Sequence, residues 1–86
     1  MKLIFCPECS DVRKMGMKKT YCSCKKSWGM YLKDGLNAVI GGKTIPLGFH
    51  NGFLIHALQT RPESGDGSLF KAFVIPKECP TIEVIK

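Results

Sequence analysis

Two closely spaced cysteine pairs, Cys6-Pro7-Glu8-Cys9 and Cys22-Ser23-Cys24, constrain this chain more than any other feature. In a chain of 86 residues they supply four soft ligands, enough to close a tetrahedral shell around one metal ion, and the metal that such a set suits is zinc. Pro7 stiffens the first turn, so that two sulfurs converge on one point. The second pair has one spacer residue where two are usual, but can still grip the same ion. Twelve residues lie between Cys9 and Cys22, room for a short hairpin joining two knuckles. Four protein ligands leave no open coordination position, so the zinc is expected to be structural and the chain not an enzyme.

Other uses of these cysteines fit less well. A disulfide framework needs an oxidising compartment, yet the count is five, and the apolar run Met1-Lys2-Leu3-Ile4-Phe5 is too short for a secretory signal. A four-cysteine iron site usually has two spacer residues in each knuckle, and Cys22-Ser23-Cys24 departs from that. A redox Cys-x-x-Cys belongs near a βαβ pattern and needs no second pair. Cys79 stands outside the ligand set, as either a reactive thiol or a small buried apolar residue.

The length allows one domain with a modest core that a metal staple supplements. No apolar run approaches the ~20 residues of a membrane-spanning helix, so the expectation is a soluble, cytoplasmic protein. The formal charge of +6 is uneven. Residues 1–27 hold seven cations (Lys2, Arg13, Lys14, Lys18, Lys19, Lys25 and Lys26) against Glu8 and Asp11, a balance of +5. Four thiolates on one zinc carry a formal charge of about −2, so part of this excess balances the metal site. Lys25 and Lys26 follow the last ligand directly and favour ionised thiols. The same lysines equally suit phosphate backbones.

Read in order, Leu3-Ile4-Phe5 is a strand that delivers Cys6. Val12 to Met15 and Met17 to Tyr21 read as a hairpin turning at Gly16 through positive φ. Trp28, Met30 and Leu32 form an apolar face continued, after the Asp34-Gly35 turn, by Leu36, Ala38 and Ile40. Gly41-Gly42 turns into a third strand over 43–47, with Pro46 near an edge, completing a meander. Asn51 is placed to cap a helix over 52–60 with Phe53, Leu54, Ala57 and Leu58 at four-residue spacing, and Pro62 stops it. A polar loop at 63–67 precedes strands over 69–75 and 81–85. The expected fold is α+β: an N-terminal zinc ribbon (1–27) fused within one domain to a small, mostly antiparallel sheet (28–86) covered by one helix.

The stretch Gly41 to Gly52 combines accessible glycines with Lys43, His50, Asn51 and Gly52 at a helix entrance, where free N–H groups favour an anion. It could hold a phosphate, with Arg61 reaching it from a neighbouring subunit in a homo-oligomer. It matches neither a Walker A loop nor a dinucleotide fingerprint, and a plain turn followed by a capped helix explains it as well. His50 and His56, six residues apart, share no helical face. Trp28 among Lys25, Lys26 and Lys33 could stack on bases, or serve the sheet core.

The first 27 residues resemble a four-cysteine zinc ribbon, a unit found in nucleic-acid-binding, ribosomal and transcription proteins and also as a purely structural staple. The remainder, with Trp28-Gly29-Met30-Tyr31-Leu32, Ile45-Pro46-Leu47-Gly48-Phe49 and Phe70-Lys71-Ala72-Phe73-Val74-Ile75-Pro76, resembles short bacterial and phage proteins of uncharacterised activity that begin with a zinc knuckle. Their setting implies host cytoplasm and counteraction of host defence, in the manner of sponges that sequester nucleotide signals. Three functions follow as expectations. The first is non-enzymatic binding of a phosphate-bearing nucleotide by Lys43, His50, Asn51, Gly52 and Arg61. The second is nucleic-acid binding by Arg13, Lys14, Lys18, Lys19, Lys25, Lys26 and Trp28. The third is a protein-interaction adaptor.

Overall fold

The computed structural model describes residues 1–85; Lys86, the end of the expected 28–86 unit, lies outside the described residues. Eight strands and one helix follow one another as β1 (Lys2–Phe5), β2 (Val12–Lys14), β3 (Thr20–Tyr21), β4 (Ser27–Tyr31), β5 (Ala38–Gly42), β6 (Ile45–Phe49), α1 (Asn51–Gln59), β7 (Ala72–Val74) and β8 (Ile82–Ile85). The class is α+β. The strands form two sheets, ordered β2-β1-β6-β7 and β3-β4-β5-β8, where a single sheet was expected. All pairings are antiparallel except β5 with β8.

The expected meander breaks at its second turn. β4 and β5 do form a hairpin, but β6 leaves them and pairs with β1. Thr44 latches the switch: its hydroxyl lies 2.9 Å from the Trp28 carbonyl and 2.8 Å from that of Gly41, and accepts the Trp28 N–H at 2.9 Å. Gly42 has φ +67°, and a side chain there would collide with the Lys26 carbonyl, which accepts the Lys43 N–H at 3.0 Å. The expected 12–21 hairpin also divides, because β2 pairs with β1 and β3 with β4. Gly16 sits between them without a positive φ, its carbonyl accepting the Tyr31 N–H at 2.8 Å.

The core lies between the sheets, where Ile4, Met15, Ala38 and Ile40 pack with Tyr31 and Ile82. The register pairs Trp28 with Gly41 and Met30 with Val39, so the Trp28/Met30 face is the outer one and the face of Ser27, Gly29, Ala38 and Ile40 is inner. The sequence pattern pointed the wrong way because the inner positions of β4 are small. A Cβ on Gly29 would lie 2.7 Å from the Ile4 side chain, so the absent side chain is what lets β1 approach β4. Trp28 instead covers Gly41 from outside.

The helix begins one residue early. His50 is its N-cap, its Nδ1 accepting the Phe53 N–H at 3.3 Å, whereas Asn51 Oδ1 accepts from the N-terminal ammonium at 3.0 Å. Of its apolar residues Ala57 is buried and Leu54 half-buried, but Phe53, Ile55 and Leu58 are exposed, so the helix does not cover a sheet as expected. No helix among the described residues is long and apolar enough to cross a membrane. The sheets are linked along one side, where Met15 N–H donates to the Lys2 carbonyl at 3.1 Å and Tyr31 to Gly16. On the opposite side the terminal strands β7 and β8 flank an apolar groove of about 440 Å3, lined by Ile40, Ile45, Val74, Ile75, Ile82 and Val84 among others.

Candidate metal centre

The first knuckle follows β1, which carries Cys6 into a buried position. Its loop closes when Ser10 N–H donates to the Cys6 carbonyl at 2.7 Å and Cys6 N–H to that of Asp11 at 3.0 Å. The second follows β3, where Lys25 N–H donates to the Cys22 carbonyl and Cys22 N–H to that of Ser27, both at 3.1 Å. Each knuckle turns on a residue just past its last cysteine in the left-handed region, Ser10 at φ +57° and Lys25 at φ +64°. Two different spacings thus reach the same result, because each pair is followed by one residue that reverses the chain.

The four sulfurs of Cys6, Cys9, Cys22 and Cys24 all lie within 4.8 Å of one another. Cys24 Sγ is 3.6 Å from that of Cys6 and 3.5 Å from that of Cys22. Four thiolates at a Zn–S distance of about 2.3 Å sit about 3.8 Å apart in a tetrahedron, close to this spacing, and all four are free thiols. The cluster is therefore positioned to hold a metal ion, and structural zinc is compatible with it.

Ser27 is a partner that the sequence did not announce. It is fully buried, and its hydroxyl has no hydrogen-bond partner of ordinary geometry. That hydroxyl is the largest influence on Cys6, stabilising the thiolate and, with the backbone N–H groups of Cys9 and Glu8 against the effect of burial, bringing its pKa down to about 6. For Cys22 burial is the largest influence and works against ionisation, but the Ser27 N–H together with the neighbouring Cys24 and Cys9 thiols outweighs it and the net shift is downward. Cys24 is helped by the Lys26 N–H, yet burial and the neighbouring sulfurs push it up to about 12. One cation at the centre of the four removes that repulsion. A buried hydroxyl with no other partner, set beside Cys6 and favouring its ionised form, fits the surroundings of a metal-ligating thiolate.

Asp11 joins the knuckles directly. Its Oδ2 accepts from Arg13 Nε at 2.7 Å, from Ser23 N–H at 2.9 Å and from the Ser23 hydroxyl at 3.0 Å. The Arg13 hydrogen bond, followed by those from Ser23, holds the Asp11 carboxyl below its ordinary range against partial burial. Nothing in the sequence marks Asp11 beyond its place just after the first knuckle; the signal it offered was a carboxylate amid cations.

The residues expected to bind a nucleotide do not meet. Lys43 Nζ is 3.0 Å from Glu8 Oε1 beside the first knuckle, and this pairing holds the Glu8 carboxyl low and raises Lys43. His50, Asn51 and Gly52 lie beyond the other end of β6, a five-residue strand roughly 17 Å long. Arg61 follows the far end of α1. His50 and Gly52 line a shallow depression with Phe53 and His56, and neither Lys43 nor Arg61 borders it. Among the residues of the nucleic-acid reading, Arg13 is tied to Asp11, and Lys19 Nζ sits 4.4 Å from the centre of the Trp28 ring. Lys14, Lys18, Lys25 and Lys26 are exposed. Cys79, 3.3 Å from the Thr81 hydroxyl, is outside the cluster. Comparison with protein-family models, curated proteins and solved structures finds no match for the chain.

Proposed function

We propose that this is a zinc-stapled, non-catalytic binding protein of the cytoplasm that engages a protein partner at the apolar mouth between β7 and β8. The observation that carries the reading is the groove of about 440 Å3 bordered on both sides by terminal strands, where apolar side chains and strand edges are offered together. The four-cysteine centre contributes stability and shape, and its full protein ligand set argues against turnover. This adaptor reading moves ahead of nucleotide sequestration because Lys43, His50 and Arg61 stand apart and Lys43 is engaged with Glu8. A photo-cross-linking residue in place of Val84, with one in place of Lys18 as control, tests it in producing cells. Protein adducts from position 84 alone are expected, and their absence there would refute the reading.

A second reading keeps one specific support, the +5 balance of residues 1–27. If those lysines bind nucleic acid, affinity falls steeply with salt, and Lys18→Ala with Lys25→Ala reduces the salt slope by about two contacts. Salt-independent or absent binding of single- and double-stranded DNA and RNA removes it.

A further inference from the structure

We infer that the partner at this mouth is a second copy of the chain, joined through β7 across a twofold axis; the inference rests on the docking reading above. β7 is the last strand of its sheet. It faces β6 in the register Leu47 with Val74, Gly48 with Phe73 and Phe49 with Ala72. His50 N–H donates to the Lys71 carbonyl and Ile75 N–H to that of Pro46, so the odd-numbered residues of this stretch turn their backbone groups toward β6. By the alternation of an antiparallel ladder, the N–H and C=O of Ala72 and Val74 point outward, away from the sheet.

An identical β7 running antiparallel satisfies all four groups. Ala72 exchanges two hydrogen bonds with Val74 of the partner subunit, Val74 does the same with the partner's Ala72, and Phe73 meets the partner's Phe73 on the axis. Pro76, which has no N–H, ends the pairing on both sides.

Charge also favours this orientation. The stretch 72–76 is uncharged, with Lys71 flanking it at one end and Lys77 at the other. In the antiparallel arrangement each Lys71 lies two positions, about 7 Å along the strand, from the partner's Lys77, and the two Lys71 residues are four positions apart, about 13 Å, beyond the Debye length of about 8 Å at physiological salt. A parallel partner would set them side by side.

The available area matches as well. Leu69 is 96 % exposed, Val74 65 %, Phe73 52 %, Val84 51 % and Phe70 37 %. Phe73 and Val74 flank the seam on opposite faces of the sheet, and the five residues together expose at most roughly 500 Å2 of apolar surface, of the order of the apolar share of a homodimer interface of about 800 Å2 per partner.

Sedimentation of the zinc-loaded chain tests the inference. A dimer is expected. Val74→Pro removes an outward N–H without touching the β6 ladder, and with Val74→Lys it should weaken association about tenfold or more. In a Cys79→Ser background, Phe73→Cys should form a disulfide-linked dimer under mild oxidation with zinc retained, because facing residues of a pair without mutual hydrogen bonds are about 4.5 Å apart at Cα. Leu36→Cys, remote from β7, should not. A chain that stays monomeric at high micromolar concentration, or a dimer indifferent to Val74→Pro and Val74→Lys, overturns the inference. Adducts from position 84 to a different protein on a monomeric chain overturn it while leaving the docking reading intact; no adducts at all defeat both.

Discussion

At the scale of single residues, the metal centre divides into ligands and the groups that hold them. Replacing Cys6, Cys9, Cys22 or Cys24 by Ser should abolish stoichiometric zinc in metal analysis and unfold at least the knuckles, because ligand binding and folding share one free energy in small sites. Cys79→Ser should leave the metal content unchanged. Ser27→Ala and Asp11→Asn keep all four sulfurs, and competition with a chelator should show each lowering zinc affinity by about 10–100-fold, the range typical of groups that orient ligands. The ligands were legible from spacing alone. Their supports were not, because Ser27 reaches Cys6 only after β4 has been laid against β1, a contact between strands distant in sequence.

At the scale of elements, hydrophobic alternation located nearly every strand but misjudged what it paired with. The pattern Trp28, Met30, Leu32 is apolar, yet glycine and serine occupy the inner side of β4 because Ile4 comes so close. Periodicity registers large side chains and is blind to a face that is buried by being empty. The switch of β6 into the other sheet was equally hidden, since Gly41-Gly42 is as compatible with a plain hairpin as with a turn between sheets. Gly42→Ala should cost at least about 2 kcal/mol in chemical denaturation, combining positive φ with the encounter with the Lys26 carbonyl. His50→Ala, which deletes the helix cap, should cost about 1 kcal/mol.

At the scale of the whole molecule, the radius of gyration of 14.2 Å exceeds the roughly 12 Å expected of a compact chain this long, in keeping with a body 45 Å in its longest dimension. Its carboxylates set the acid limit of stability. Asp34 is held low by the N–H of Leu36 and then by Asn37, Glu8 by Lys43, and Asp11 by Arg13. For each group the folded value lies below the unfolded one. Their contribution is therefore complete above about pH 4–4.5, the unfolded range, and lost as pH falls through the lower folded values. Thermal melts should show stability declining below that range, and Asp11→Asn should flatten the decline. The pairing of β1 with β6 also orders events in time. The knuckles can close once residue 27 has been made, but Leu3 and Ile4 wait for Leu47 and Pro46 before their second neighbour exists. During synthesis the metal loop is thus a local, early event, whereas the first strand stays half-paired for about twenty further residues, the interval in which a holdase would find it.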